Sequence, residues 1–485
     1  MFGRVAAMVS LSACVSACAT ASTVATRAPG AAGPRGATTP AAAEAPVIAL
    51  RFASLDAVEI RGGTTETRPL VFQGPNAAAS LADVGGTHGV VVPVSAILED
   101  ATPQRLAIEA TAVCPSPWIV DVTAPLLVAR TAVTAAPAVL RAGCGPLQHA
   151  DFITDFGHER VLVYGAAPFD PRMVASEMGL IRSDLERMFT VRIAELWINE
   201  IAVVSPGSGG AGPVAEPSAT GLRMRLDAAT PWGAEARLEV GATIARFWLG
   251  KLIGQIAPGE QDGVVTPERA ALLHGIGRGI ARESLFELGL LSPDEYAADL
   301  DRAEALVAER SGAWRAAGSV DARDVAARSA EVSVEAAVLA WRLREADPPQ
   351  SLPQGLEASS DGSQDLAALW RRLVGGARPR KLGACILQRP TKASVVDLGV
   401  SIPWDPTRDA AVVTSVRDGG VGATAGIVAG DEVVGVVPTR EGTVVTVRRR
   451  GASVLLTSGT RPDVVSRRGW VRKANVADDR CYPKL

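Results

Sequence analysis

The chain is poor in the side chains that carry metal and acid–base chemistry. It has four histidines in 485 residues, His88, His149, His158 and His274. No two of them are four residues apart, so no helix can offer a pair of imidazoles on one face. Its six cysteines include no C-x-x-C pair, which argues against a zinc knuckle. Aromatic residues make up only 4%, and the formal net charge is -3. A chain without surplus positive charge is a poor partner for nucleic acid, because phosphate binding needs concentrated Lys and Arg. The three short basic clusters, Arg378 to Lys381, Arg448 to Arg450 and Arg467 to Arg468, read as solvated strand ends or loops. Nothing in the pattern calls for a cofactor or a resident metal.

What is present starts at the N-terminus. MFGR supplies a positive charge, and VAAMVSLSACVSAC follows as an apolar run ending in small residues and cysteine. That is a secretory signal, too short to span a bilayer as a mature helix. It resembles a bacterial lipoprotein signal, in which a cysteine after a small-residue box becomes the acylated N-terminus. Cys18 fits best, with Cys14 the alternative and cleavage near Ala19 to Ala21 without lipid the plainer reading. The resemblance implies an exported, lipid-anchored protein of the cell envelope, held on a membrane surface. Choosing Cys18 leaves Cys114, Cys144, Cys385 and Cys481 in an oxidising compartment. Sequence proximity pairs Cys114 with Cys144 and Cys385 with Cys481, among three possible connectivities.

The pattern predicts an α+β multidomain chain: signal 1–18, flexible linker 19–46, an N-terminal β domain 47–150, a mainly helical domain 151–380 and a C-terminal β domain 385–485. The linker is Ala, Thr, Pro and Gly with nothing to bury. Short apolar runs such as VIALRF and WIVDVTAPLLVART mark the first β region. Helix starts follow at Asp170-Pro171, at Thr266-Pro267 and at the capping box Ser292-Pro293-Asp294-Glu295. Long helical patterns cover about 320–345 and 364–374. Between the helix starts at Asp170 and Thr266, GATIARFWLGKLIGQIAP (241–258) spaces Ile244, Phe247, Trp248, Leu252, Ile253 and Ile256 as one apolar stripe, with Ala242, Thr243 and Arg246 on its edge.

The segment Ala425-Gly426-Ile427-Val428-Ala429-Gly430-Asp431-Glu432-Val433-Val434 resembles the A-G-L-x-x-G-D-x-I signature of bacterial PDZ domains. A short helix would pack Ile427, and Gly430 would take a positive φ before the next strand. The resemblance places a carboxylate-binding loop at Leu398, Gly399, Val400, Ser401 and Ile402, whose N–H groups would accept the C-terminus of a polypeptide partner. The same fold used only for packing is the other reading.

A β domain, a helical domain and a PDZ-like domain behind an export signal together resemble the glycyl aminopeptidase family of gluzincin metallopeptidases. Trp248, Lys251, Leu252 and Ile253 stand where that family has its residues after H-E-x-x-H, and Leu288 to Tyr296 resembles a later conserved stretch. Carried over, the zinc histidines become Ala242 and Arg246, the general base Thr243 and the third ligand Arg278. Ala offers no donor, and two guanidiniums repel a cation, so the resemblance implies a peptidase fold without its metal. A zinc aminopeptidase with unorthodox ligands, for example His274 with Glu283 and Glu287, and a structural envelope assembly protein are the alternatives. Ser208 in SPGSGGAG lacks a strand-turn-helix setting for a nucleophile. GIGRGI (275–280) sits inside a helical pattern, where its glycines suit close packing better than phosphate binding.

Overall fold

Ten short strands come first: β1 (Ile48–Phe52), β2 (Ala57–Gly62), β3 (Thr64–Pro69), β4 (Ala79–Ser80), β5 (His88–Pro93), β6 (Arg105–Ala110), β7 (Pro117–Asp121), β8 (Leu127–Val128), β9 (Thr131–Ala135) and β10 (Val139–Cys144). They form two five-stranded sheets, in the orders β3-β2-β1-β6-β9 and β4-β5-β10-β7-β8. The structure, a computed structural model, describes residues 48–52, 57–62, 64–69, 79–80, 88–93, 105–110, 117–121, 127–128, 131–135, 139–189, 196–204, 213–218, 221–256, 266–309, 321–359, 366–375, 379–405, 412–439, 441–450 and 452–481. Cys14, Cys18, Cys114, Ser208 and the linker lie outside the described residues. Residues 46–485 form one unit.

A third sheet contains β11 (Leu147–Thr154), β12 (Gly157–Tyr164), β13 (Leu196–Val204), β14 (Val214–Ser218) and β15 (Gly221–Asp227), in the order β11-β12-β13-β15-β14. Residue 150, where the sequence pattern changes, falls inside β11. The three central strands β12, β13 and β15 are parallel, and β12 and β13 are buried along most of their length, as strands covered on both faces must be. One face meets the second sheet through Trp118, Val120, Leu162, Tyr164, Ile198 and Val204. Across that contact Glu200 accepts from Arg141 Nη2 at 2.7 Å, and within its own sheet from the Tyr164 hydroxyl at 3.0 Å.

The described residues hold eight α-helices: α1 (Pro171–Met188), α2 (Ala234–Ile256), α3 (Pro267–Glu287), α4 (Pro293–Glu309), α5 (Ala322–Arg344), α6 (Leu352–Ser359), α7 (Leu366–Val374) and α8 (Val421–Ala425). Side chains that the sequence marks as caps set several starts. Asp170 accepts from the Arg172 N–H at 2.9 Å, and Thr266 from the Arg269 N–H at 3.2 Å, each followed by proline at the first helical position. Ser292 and Glu295 cap each other's N–H groups at 3.2 and 2.8 Å, a reciprocal capping box. The buried face of α1, Val174, Met178, Ile181 and Leu185, repeats every three or four residues and joins the main core with the third sheet and α2 to α5.

α3 lies between α2 and α5, and the GIGRGI glycines make that possible. A Cβ on Gly279 would lie 2.3 Å from the Ala336 Cβ on α5; one on Gly277 would lie 2.8 Å from the Arg246 Cγ on α2. Glycines two apart in a helix face different neighbours, so the run serves packing on both sides.

The C-terminal strands are β16 (Lys381–Leu382), β17 (Ile386–Val395), β18 (Val400–Ser401), β19 (Ser415–Val416), β20 (Glu432–Pro438), β21 (Thr443–Arg449), β22 (Ala452–Ser458) and β23 (Asp463–Arg472). They form sheets β16-β17-β23, β18-β19 and β20-β21-β22. The first packs on α4: Asp301 holds Arg467 through both carboxylate oxygens at 2.7 and 2.8 Å, and Trp470 donates to Glu304 at 3.3 Å. Cys385 and Cys481 are bonded, the pair that proximity suggested, and Cys144 is also in a disulfide. No helix among the described residues is long and apolar enough to cross a membrane.

The Cys385–Cys481 bridge closes a loop across a sequence separation of 96. Its removal by Cys385→Ser with Cys481→Ser is expected to lower unfolding free energy by about 2–5 kcal/mol in denaturant titrations. An unchanged midpoint would show that the sheet contacts on α4 alone fix this segment.

Candidate functional site: an arginine–carboxylate cluster

On α2 the run Gly241 to Ala245 is buried at every position. Sequence pattern places Ala242 and Thr243 on a polar edge; in the structure they are 5% and 1% exposed, enclosed by α3 and β14. Their small size lets the neighbouring chains close over them, and small residues leave no periodic signal. The Thr243 hydroxyl donates to the Ala215 carbonyl on β14 at 3.2 Å. Trp248, one turn on, is fully buried and stacks on Phe189 at 5.8 Å between ring centroids. The side chains of Lys251, Leu252 and Ile253 lie outside the described residues.

Arg246, four residues after Ala242, points toward α3. Its Nη2 donates to the Thr243 hydroxyl at 2.7 Å and the Ala215 carbonyl at 3.3 Å, and its Nη1 lies 2.6 Å from His274 Nδ1. A guanidinium only donates, so the nearer ring nitrogen is the acceptor in this contact. Glu239 approaches Arg246 at 3.8 Å.

Arg278 lies on the same side of α3, one turn beyond His274. Three carboxylates converge on it: Asp299 of α4 at 2.7 Å, Glu235 at 3.0 Å and Glu239 at 3.4 Å, the last two from α2. The second oxygen of Asp299 takes Arg282 Nε at 2.6 Å, and Arg282 goes on to the Ser333 carbonyl of α5 at 2.9 Å. Four helices are therefore joined through two guanidiniums and three carboxylates. Burial opposes charge on Asp299, yet Arg282 and Arg278 outweigh it and hold the carboxyl well below its ordinary range. Burial likewise opposes the charge on Arg278, and Asp299, Glu235 and Glu239 override it and raise its pKa.

This donor set does not fit a zinc ion. Zinc needs three or four nitrogen, oxygen or sulfur lone pairs aimed at one point. Here the carboxylates aim at a guanidinium that is charged at every accessible pH, and the α2 positions offer a methyl group, a hydroxyl already engaged and another guanidinium. Among the described residues no group of three His, Cys, Asp or Glu could hold a metal ion. His274, Glu283 and Glu287 are not brought together as ligands. Glu283 accepts from the Tyr296 hydroxyl and, at 2.6 Å, from Arg344, while Arg344 also pairs with Glu287.

The cluster borders a cleft of about 700 Å³, whose walls include Arg246, His274, Arg302 and Leu306 and, from the C-terminal region, Pro403 and Trp404. The residues that tie this site together and that sequence reading missed are Glu235, Glu239, Arg282 and Asp299. Their signal was the four-residue spacing of Glu235 with Glu239 and of Arg278 with Arg282, which puts each pair on one helix face.

In the C-terminal region Gly426 and Gly430 have φ of +88° and +91°, and Ile427 is buried with Leu398, Val400, Ile402, Val413, Val445 and Val447. Of the residues 398–402 that the sequence suggested as a carboxylate-binding loop, two have N–H groups already engaged by acids. Gly399 N–H donates to Asp397 at 2.9 Å and Ile402 N–H to Asp321 at 3.3 Å, and Leu398, Val400, Ser401 and Ile402 are all buried. A strand that must bury its apolar side chains in the small core also has its outer backbone groups met by neighbouring acids.

No protein-family model matches the chain, and no curated protein matches it. Among solved structures it is similar to an aminopeptidase N family protein from Idiomarina loihiensis, with TM-score 0.47 and 10% identity over 87% of this chain and 97% of that one. It is also similar to an M1 zinc metallopeptidase from Deinococcus radiodurans, with TM-score 0.34 and 14% identity over 67% of this chain and 82% of that one.

Asp299→Ala would leave Arg278 and Arg282 short of their shared buried anion and is expected to cost about 3–5 kcal/mol in denaturant unfolding. Arg246→Ala, at the cleft wall, is expected to cost less than about 1 kcal/mol. Because the folded Asp299 carboxyl titrates below its unfolded value, its stabilisation is complete above about pH 4 and is lost as pH falls below that. Melting temperature against pH is expected to fall less steeply below pH ~4 in Asp299→Asn than in the wild type.

Proposed function

We propose that this protein is an exported, lipid-anchored envelope protein with a gluzincin-like central region that holds polypeptide without cleaving it. The observation that carries this reading is the Arg278 guanidinium at the meeting point of Glu235, Glu239 and Asp299. Peptide hydrolysis by a gluzincin needs a Lewis acid and a carboxylate base for its water. Arg278 supplies a fixed cation that is no Lewis acid, and each nearby carboxylate is already paired with a guanidinium in place of a metal-bound water.

The motif residues around the cluster keep structural duties that do not depend on a metal. Trp248 packs on Phe189, Ser292 caps α4, and Tyr296 is buried against Glu283. Packing, capping and the ion pairs of Asp299 thus support a peptidase-like arrangement without a metal. Export is supported by the signal-like N-terminus and by the Cys385–Cys481 bond, since such bonds persist in oxidising compartments. A PDZ-like reading of the C-terminal region draws support from the buried Ile427 and the positive φ of Gly430 before β20.

Purified protein is expected to release no fluorophore from a panel of aminoacyl-coumarin amides, with or without added zinc, and a chelator to change nothing. Turnover that the chelator abolishes would overturn the non-catalytic reading. Mass spectrometry of the mature N-terminus is expected to find an acylated Cys18 that Cys18→Ala abolishes; an unmodified terminus near Ala19 to Ala21 would remove the anchor.

A further inference from the structure

The edge of β18 already has an occupant. On one side β18 pairs with β19: the Gly399 and Ser401 carbonyls accept from Arg417 and Thr414 N–H at 2.7 and 2.9 Å. Backbone groups alternate in direction along a strand, so those of Val400 and Ile402 face the other way. On that side lies the start of α5. Ala322 N–H donates to the Ile402 carbonyl at 2.7 Å, Ile402 N–H donates to Asp321 Oδ2 at 3.3 Å, and Arg323 Nη2 donates to the Val400 carbonyl at 2.6 Å. Asp321 also forms an antiparallel bridge with Pro403, and Ala322 packs against the Leu398, Val400 and Ile402 cluster.

We propose that Asp321 to Arg323 is a built-in occupant of the C-terminal module's peptide edge, so that an extended polypeptide binds there only by displacing the first turn of α5. The proposal rests on the peptide-holding reading given above. The three residues supply what a bound peptide end supplies to a strand edge: a carboxylate on an edge N–H, a main-chain N–H on an edge carbonyl, and a small side chain on the apolar cluster. Asp321 serves both partners, because the same carboxylate caps α5 by accepting from Arg323 N–H at 2.8 Å. Displacement therefore undoes a helix cap and three edge bonds together.

An occupant in the same chain acts at an effective concentration in the millimolar range, which a free peptide must overcome. Pro403 and Trp404 follow directly on the edge and line the cleft beside the arginine cluster, so occupancy of the edge and the shape of the cleft are linked.

The test uses the full chain and a fluorescein-labelled peptide of residues 318–326 as the probe, read by anisotropy. Ala322→Pro removes the N–H that reaches Ile402. It also places proline at the first helical position after a residue that is already extended, Asp321 at φ -77° and ψ 139°, so α5 can still start there. Arg323→Ala, which removes the bond to Val400, is the second variant. Both are expected to bind the probe saturably and at least about tenfold more tightly than the wild type. Equal binding to all three proteins, or no binding to variants whose circular dichroism and melting match the wild type, would overturn the proposal. Chelator-sensitive turnover in the amide assay would sink the non-catalytic reading without altering the outcome at this edge.

Discussion

Asp299 sits between two guanidiniums, and the arrangement of the four central helices depends on it. A guanidinium cannot shed its proton at any accessible pH, so Arg278 and Arg282, largely or wholly buried, need anions wherever the chain places them. Asp299 gives one oxygen to each; Glu235 and Glu239 complete the shell around Arg278. Through Ser333 the network reaches α5, and α2, α3, α4 and α5 are held in one geometry. Replacing such a network with apolar residues can be neutral, but removing one member leaves a buried charge unmet. The position is therefore set by what the arginines require, and that requirement is incompatible with a second cation.

The same helices can approach closely only because α3 is notched. Gly277 opens toward Arg246 and Gly279 toward Ala336, and Ala242 and Thr243 fit the space that remains. Substituting histidine and glutamate there would demand room that the packing does not leave. Toward the C-terminus, Asp301 and Glu304 on α4 hold β23, and Asp321 and Arg323 at the start of α5 hold the β18 edge. The C-terminal strands are fixed to the helices at two points, one of which uses backbone groups suited to pairing with another chain.

Helix starts were legible in the sequence because caps are local: Asp170, Thr266 and Ser292 each act within three residues of themselves. The turns at Gly426 and Gly430 were legible for the same reason, since a positive φ is a property of one residue. That Ala242, Thr243 and Arg246 bring no imidazole or carboxylate to one face of α2 could also be read directly, from residue identity and spacing. What spacing could not give was the partner of each charge. Glu235, Asp299 and Arg278 stand 43 and 21 residues apart in pairs, and only the packing of α2, α3 and α4 makes them neighbours. The burial of Ala242 and Thr243 was hidden because small residues carry no hydrophobic period. The occupied edge at Val400 to Ile402 was hidden because Asp321 is some 81 residues away and reads, taken alone, as an ordinary helix cap.

The central claim is that a guanidinium, and not a metal ion, is the cation at the heart of this fold. Elemental analysis by inductively coupled plasma mass spectrometry, on protein purified without chelator and dialysed against a zinc-buffered solution, tests it most directly. The account predicts zinc, manganese, iron and cobalt each far below one ion per chain. One equivalent of zinc retained through dialysis would contradict it.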